Sequence, residues 1–344
     1  METINKLKNP VFKSLETLKY TFKGVNTPQQ THPFWVMVQK DISDHVRSLR
    51  FIILIVLIIL TCFGTLYNAM SHLNEALHNT KDPNNMFAFL KLLTATDGSL
   101  PSFLLFMSFM SPLLGISLGF DAVNSEHNSG SLVRVISQPI HRDYVINAKF
   151  VSALTIISIL FFSLSFIFIG FGILFSGLTP TFNEFIRIMA FTTLTILYVS
   201  FWLNLSILFS IKFKQASTSA LTCIGVWLFF SVFYQIIINI AAKTFIPERA
   251  SQLDKVINIK KFFSGLLNIA PNQLFTDAST TLLMPSVRSL GPLSFTETLG
   301  AIPSALTLTD SLIIVWPQLT GLIAATIFCF ALSYYIFMRK EIRP

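Results

Sequence analysis

The sequence contains six apolar runs, each long enough to cross a lipid bilayer. A helix that spans the hydrocarbon core needs about 20 apolar residues. The runs lie at Phe51–Ala69, Pro101–Phe120, Val145–Phe175, Ile188–Ile211, Ser217–Ala241 and Ser311–Met338. Because 52% of the residues are apolar and only 12% are charged, an ordinary soluble domain is excluded. The chain is predicted to be an all-α membrane protein with six transmembrane helices.

The distribution of lysine and arginine predicts the orientation of these helices. Eight basic residues precede residue 51, three lie within 121–149, two follow the fourth run and three end the chain. The first two loops on the opposite side hold only Lys81 and Lys91, with Arg187 at a boundary. Basic residues concentrate on the cytoplasmic side of membrane proteins. Both termini are therefore predicted to be cytoplasmic. The net charge of +8 fits this bias, and nucleic-acid binding is not expected.

Two segments precede the first run. Residues 1–32 form a cytoplasmic N-terminal segment, for which a surface-lying helix and a solvated tail are equally open interpretations. In residues 33–50, Phe34, Val38 and Ile42 begin an apolar stripe along one face of a helix. Most charged residues of this segment lie on the other faces. This pattern predicts an amphipathic elbow helix that lies along the cytoplasmic leaflet.

A long loop, residues 242–310, separates the fifth and sixth runs. The predicted orientation makes this loop external, and its length exempts it from the charge bias. Its prolines and apolar patches predict short helices that dip into the outer interface. Residues 51–338 then form one membrane domain, followed by a cytoplasmic tail at 339–344.

The segment between the second and third runs is unusually polar for this chain. Residues 121–142 contain a turn signal at 128–130, a short apolar and basic stretch at 131–136, and a helix breaker at Pro139. These signals predict a short surface helix followed by the start of another helix. Such a shape suits a docking element on the cytoplasmic side.

The same segment resembles the permease subunits of ABC (ATP-binding cassette) type-2 transporters. The matching positions are Asp121, Glu126, Gly130, Ser131, Leu132, Ser137, Pro139, Ile140, Arg142 and Lys149. Ser131 stands where threonine is common in that family, and His127 stands where a basic residue usually follows the glutamate. The order of apolar runs along the whole chain also agrees with the family.

The resemblance implies that residues 121–142 form a coupling helix that inserts into a separate ATPase subunit. The implied ATPase-coupling residues are Asp121, Glu126, Gly130, Leu132, Arg134, Pro139 and Arg142. The resemblance also implies a second permease subunit, identical or related, and a location in the inner (plasma) membrane. No cofactor is expected on this chain, because ATP and Mg would be bound by the partner ATPase.

Sequence patterns of catalytic and metal sites are missing. No GxxxxGK[ST] phosphate loop occurs, so ATP hydrolysis is assigned to a partner and the chain is not predicted to be an enzyme. No HExxH or Cys/His cluster occurs, so no metal site is expected. Ionisable residues lie near the ends of the spans, at Lys149, Glu184 and Arg187. This distribution argues against a proton-coupled carrier, which keeps charges within its spans.

A small-residue face is predicted in the second run, where Ser111, Gly115 and Gly119 recur every four residues. Such spacing lets another helix approach closely. The face is either a mobile seam beside the substrate path or ordinary packing within one subunit, and the second is the commoner case.

Polar residues within the fourth and fifth runs have two interpretations. Tyr234, Gln235 and Asn239 are candidates for lining a substrate path, or else for interhelical hydrogen bonds. Asn204 is expected to be an interhelical hydrogen-bond partner.

The predicted function is a permease subunit of an ABC exporter, which forms the substrate pathway and couples to separate ATPases. The alternative is a non-transporting membrane scaffold or sensor with the same fold. A channel or secondary carrier is disfavoured by the lack of charge within the spans. Phenylalanine-rich spans favour a lipid-like, peptide-like or amphipathic cargo over a small ion.

Overall fold

The computed structural model describes residues 32–71, 87–94, 102–137, 140–245, 262–263, 265–285 and 306–339. Every regular element within these ranges is a helix, and none is a strand. Six helices are long and apolar enough to cross a membrane. The predicted fold class is therefore confirmed. Predictions made for residues 1–31, for Pro139 and for much of the loop 242–310 lie outside the described residues.

The helices of the described residues are numbered here in chain order. They are α1 Pro33–Val46, α2 Leu49–Ser71, α3 Ala88–Thr94, α4 Phe103–Gly119, α5 Asn124–Asn128, α6 Ser131–Ile136, α7 Arg142–Ser176, α8 Phe182–Lys212, α9 Ala216–Leu228, α10 Tyr234–Phe245, α11 Pro271–Leu283 and α12 Leu308–Arg339. A π-helical turn, Phe229–Phe233, joins α9 to α10. Spans 1 to 4 are α2, α4, α7 and α8; span 5 is α9 with the π turn and α10, and span 6 is α12.

Span 4 begins well before its predicted start, and span 3 is the longest of the six. Span 4 begins at Phe182, six residues before the predicted Ile188. The reason is a capping box, in which the Thr181 hydroxyl accepts from the Glu184 backbone N–H while the Glu184 carboxylate accepts from the Thr181 backbone N–H. Span 3 has 35 residues and is about 52 Å long at 1.5 Å per residue. Because the hydrocarbon core is only about 30 Å thick, span 3 extends beyond it.

Span 4 is the central helix. It packs most extensively against α4 and α12, and then against α7 and α11. A Cβ atom on Gly115 would lie 2.7 Å from the Val199 carbonyl oxygen, and one on Gly119 would lie 2.9 Å from the Leu203 carbonyl oxygen. Only glycine permits backbones to approach this closely. The glycines of the small-residue face therefore contact span 4 of the same chain, and Ser111 is fully buried.

Helix α11 lies alongside the N-terminal half of span 4. The Arg187 guanidinium donates to the Leu282 carbonyl oxygen (3.1 Å), and the Tyr198 hydroxyl donates to Asn272 Oδ1 (2.9 Å). Arg187 and Tyr198 are separated by about 16 Å along α8, and their partners are separated by about 15 Å along α11. The two helices therefore run antiparallel, and the N-terminus of α11 is its deep end. Helix α11 reaches the level of Tyr198, in the middle of span 4, and the interfacial position of short helices in this loop stays a prediction.

Span 5 lies at the periphery of the chain. Only 11% of its most apolar window is buried, compared with 83% for span 4. Large apolar side chains such as Leu221, Phe233 and Ile240 are more than half exposed. The π turn adds a residue to the helix, which rotates the face of α10 relative to that of α9.

Candidate coupling site in the 121–142 segment

The 121–142 segment contains two short helices, α5 and α6, followed by the start of α7. Gly130 separates the short helices in the left-handed region, with φ of 71°, where a side chain would be strained. Leu132 is buried in the core and fixes α6 against the spans. Helix α6 occupies the 131–136 stretch for which the sequence predicted a short surface helix, and α5 precedes the turn signal.

Glu126 on α5 connects three separate helices. Its carboxylate Oε1 lies 2.9 Å from Lys149 Nζ on α7 and 3.1 Å from Lys40 Nζ on α1. Asp41 on α1 adds a longer contact, with its Oδ2 atom 3.9 Å from Lys149 Nζ. The side chains of Glu126 and Lys149 are 17% and 8% exposed, whereas that of Lys40 is 55% exposed. The pair with Lys149 is therefore better shielded from water and ions than the pair with Lys40.

The protonation of this cluster follows from burial and charge. Burial alone would raise the pKa of the Glu126 carboxyl, but Lys149 and Lys40 outweigh burial and hold that pKa below its ordinary value. Burial raises the pKa of Asp41, and the charge of Lys149 offsets only part of that effect. Glu126 is consequently the firmly ionised carboxylate of the cluster.

Other contacts fix the segment at its N-terminal end. Asp121 Oδ2 lies 2.6 Å from Arg50 Nη2 at the start of span 1. The Ser210 hydroxyl near the end of span 4 accepts from the backbone N–H groups of Val123 (2.9 Å) and Asn124 (3.2 Å). The segment is therefore attached to spans 1, 3 and 4 and to α1.

The remaining predicted coupling residues are distributed differently. Arg134 on α6 and Arg142 at the start of α7 are exposed. Pro139 lies outside the described residues. The structure thus brings Asp121 and Glu126 into contacts within the chain and leaves the two arginines at the surface.

Sequence analysis did not single out Lys40 or Asp41. The available signal was Asp41, which lies three residues after Val38 and therefore shares the apolar side of α1 with it. These two are the buried residues of α1. An acidic residue on an apolar helix face predicts a basic partner on the element that packs against that face. For α1 that element is α7, which carries Lys149.

A family model described as ABC-2 family transporter protein matches residues 35–342. The chain belongs to the ABC-2 transporter family. The match includes all six spans and the 121–142 segment, so the resemblance found in the sequence is confirmed and the chain is an ABC type-2 permease. A search of curated proteins gave no significant match to the permease.

Two polar residues of span 5 contact the segment that precedes span 6. The Tyr234 hydroxyl donates to the Leu266 carbonyl oxygen (2.7 Å), and the Gln235 side-chain amide donates to Gln273 Oε1 on α11 (3.0 Å). Asn239 is exposed on α10. Two of the three predicted path residues thus hold the outer half of span 5 to the segment that precedes span 6.

Asn204 differs from its prediction. Its side-chain amide is fully buried but has no hydrogen-bond partner among the described residues. The interhelical contact at this position uses its backbone carbonyl oxygen, which accepts from the Ser333 hydroxyl of span 6 at 3.5 Å. Among the described residues, the predicted side-chain hydrogen bond is therefore wrong. The main chain of Asn204, and not its side chain, makes the hydrogen bond between spans 4 and 6 at this position.

Proposed function

We propose that this permease forms the substrate pathway of an ABC exporter, together with a second permease subunit and separate cytoplasmic ATPases. The observation that carries this proposal is the attachment of the 121–142 segment to several spans at once. Glu126 contacts both α1 and α7, and Ser210 fixes the segment to span 4. A force applied to the segment would therefore move these helices as one body.

In the proposed mechanism the ATPase contacts the exposed side of the segment. Arg134 and Arg142 supply positive charge there, and an acidic groove on the ATPase would complement them. ATP-driven closure of two ATPases would displace the segments of both permeases. The spans above would then change the side to which the path opens, and the permease itself would carry out no covalent step.

Span 5 is the proposed contact with the second permease subunit. An exposed amide such as that of Asn239 is costly to leave in lipid, because nothing there can bond with it. The large exposed apolar side chains on the same span supply area for a protein contact. By analogy with type-2 permeases we expect the second and fifth spans to lie beside the path, and the same analogy supports export as the direction of transport.

The test is co-purification with a co-expressed candidate ATPase, followed by measurement of ATP hydrolysis. Arg134→Glu should abolish association, since a like-charge contact at an interface costs several kcal/mol, on the order of 3. Arg339→Glu is the matched control, because Arg339 is also exposed and follows span 6 at the predicted cytoplasmic end. Equal association of both variants would refute the proposed docking surface. Hydrolysis that never responds to any cargo would favour the scaffold alternative.

A further inference from the structure

Helix α11 brings an acidic side chain, Asp277, to the outer half of the membrane domain. Asp277 lies halfway between Asn272, at the deep end of α11, and Leu282, which contacts Arg187 near the outer end of span 4. Gln235 lies ten residues before the end of α10, or about 15 Å below it. Both positions place Asp277 at a level between the ends of spans 4 and 5, within the helix bundle.

Asp277 has an unusual set of contacts for a carboxylate at that depth. Its Oδ1 atom accepts from Gln273 Nε2 at 2.7 Å, and Gln273 Oε1 accepts in turn from Gln235. Among the described residues, no basic side chain lies within ion-pair distance of Asp277. Burial raises the pKa of Asp277 above the ordinary value of a carboxyl group, and the hydrogen bond from Gln273 opposes that effect.

The charged groups on the helices around α11 are engaged elsewhere or lie outside this cluster. Arg187 on α8 donates to the Leu282 and Leu306 carbonyl oxygens and to the Ser311 hydroxyl. Glu184 accepts from the Phe89 backbone N–H. Asp310 on α12 contacts Thr307, and Lys91 lies on α3. None of these groups shifts the pKa of Asp277, for which burial and Gln273 are the causes.

We propose that Asp277, Gln273 and Gln235 form an outer binding site for the cationic group of an amphipathic cargo. An ionised carboxylate at membrane depth is expensive and is retained where it serves a pathway. A cation beside it would supply the opposite charge that the described residues do not. The description of this cation as cargo rests on the proposed function.

The ligand set favours an organic cation over a metal ion. The site offers one carboxylate, and Gln273 Oε1 already accepts a hydrogen bond from Gln235. Calcium needs six to eight oxygen ligands and magnesium needs a near-octahedral set, so too few oxygens are available. The adjacent π turn presents Phe229 and Phe233, which are 44% and 57% exposed. These rings suit the apolar part of an amphipathic cation.

The proposal is tested with the purified permease in lipid nanodiscs and two probes of the same shape and opposite charge. Tetraphenylphosphonium is the cation and tetraphenylborate is the anion, and equilibrium dialysis measures the binding of each. We expect saturable binding of the cation only. Asp277→Asn keeps the side-chain shape and should raise the Kd of the cation at least about tenfold, the loss that corresponds to ~1.4 kcal/mol. Asp310→Asn, an exposed external acid, is the control and should not change the Kd.

Equal binding of the two probes, or an unchanged Kd in Asp277→Asn, would overturn the site. If Asp277→Asn does not reach the membrane, the wild-type pH profile decides. Cation binding should weaken as the pH is lowered, because protonation neutralises the carboxylate, and a flat profile would count against the site. The measurement needs no ATPase, so failure of ATPase association would refute the proposed function while leaving this result intact.

Discussion

The contact between Glu126 and Lys149 provides the sharpest test of how the cytoplasmic segment is held. Glu126→Ala removes the nearest carboxylate from Lys149, whose side chain is only 8% exposed. The sole remaining acidic neighbour of Lys149 among the described residues is Asp41, at 3.9 Å. Lys40 also loses its contact with Glu126, but its side chain is 55% exposed and can be solvated.

The expected magnitudes differ because the two lysines differ in burial. Removing one partner of a buried ion pair costs about 3–5 kcal/mol. Because Glu126 is slightly exposed and Asp41 remains, we expect Glu126→Ala to lower the free energy of unfolding by about 2–3 kcal/mol. An exposed pair is worth about 0–1 kcal/mol, so Lys40→Ala should have a much smaller effect.

Two double-mutant cycles isolate these contributions. The unfolding of each single and double variant is followed in mixed detergent micelles titrated with dodecyl sulfate. The Glu126/Lys149 cycle should give a coupling energy above about 1 kcal/mol, since contacting charges commonly couple by 0.5–3 kcal/mol. The Glu126/Lys40 cycle should give less than about 1 kcal/mol. Asp44→Ala, at a side chain that is 66% exposed, is the control.

Two outcomes would refute this reasoning. Equal coupling energies in the two cycles would mean that burial does not distinguish the lysines. A Glu126→Ala variant within about 0.5 kcal/mol of the wild type, the range of ordinary surface substitutions, would mean that the carboxylate does not hold α5 to α7. A functional effect of Glu126 would then have to arise from direct contact with the ATPase.

Two further predictions concern topology and packing. In a cysteine-free background, a cysteine at the exposed position Ser125 should be labelled only from the cytoplasm and one at exposed Thr179 only from outside; labelling of both from one side would refute the six-span topology. Gly119→Ala should destabilise the permease by about 1–3 kcal/mol through overpacking, because its Cβ would lie 2.9 Å from the Leu203 carbonyl oxygen. Gly170→Ala, where no atom lies within 4 Å of the new Cβ, is the control, and equal thermal stability of the two variants would contradict the close helix contact.

The sequence predicted the elements that depend on local pattern. All six spans follow from their length and apolar composition, and the helix in residues 33–46 follows from its apolar stripe. The early start of span 4 was also readable, because Thr181 and Glu184 have the spacing of a capping box. Counting apolar residues alone missed it, since polar residues of the first turn interrupt the run.

The contacts between distant segments could not be predicted in the same way. Lys40, Glu126 and Lys149 are far apart in sequence, and no periodicity indicates which lysine meets the carboxylate. Asp277 was missed because hydropathy assigns it to a loop, whereas the packing of α11 against spans 4 and 6 brings it into the helix bundle. In both cases the decisive information is tertiary packing.

Span 4 physically connects the 121–142 segment to α11. Its 31 residues contain neither glycine nor proline, so it has no residue type that commonly bends a helix. Ser210 holds the 121–142 segment at one end, while Tyr198 and Arg187 hold α11 toward the other. Span 5 has few buried residues and contains the π turn. A displacement of the cytoplasmic segment should therefore carry α11 with span 4 and shift it relative to span 5. The Gln235–Gln273 hydrogen bond crosses that boundary, so it is the contact at which movement of the inner segment would change the geometry around Asp277.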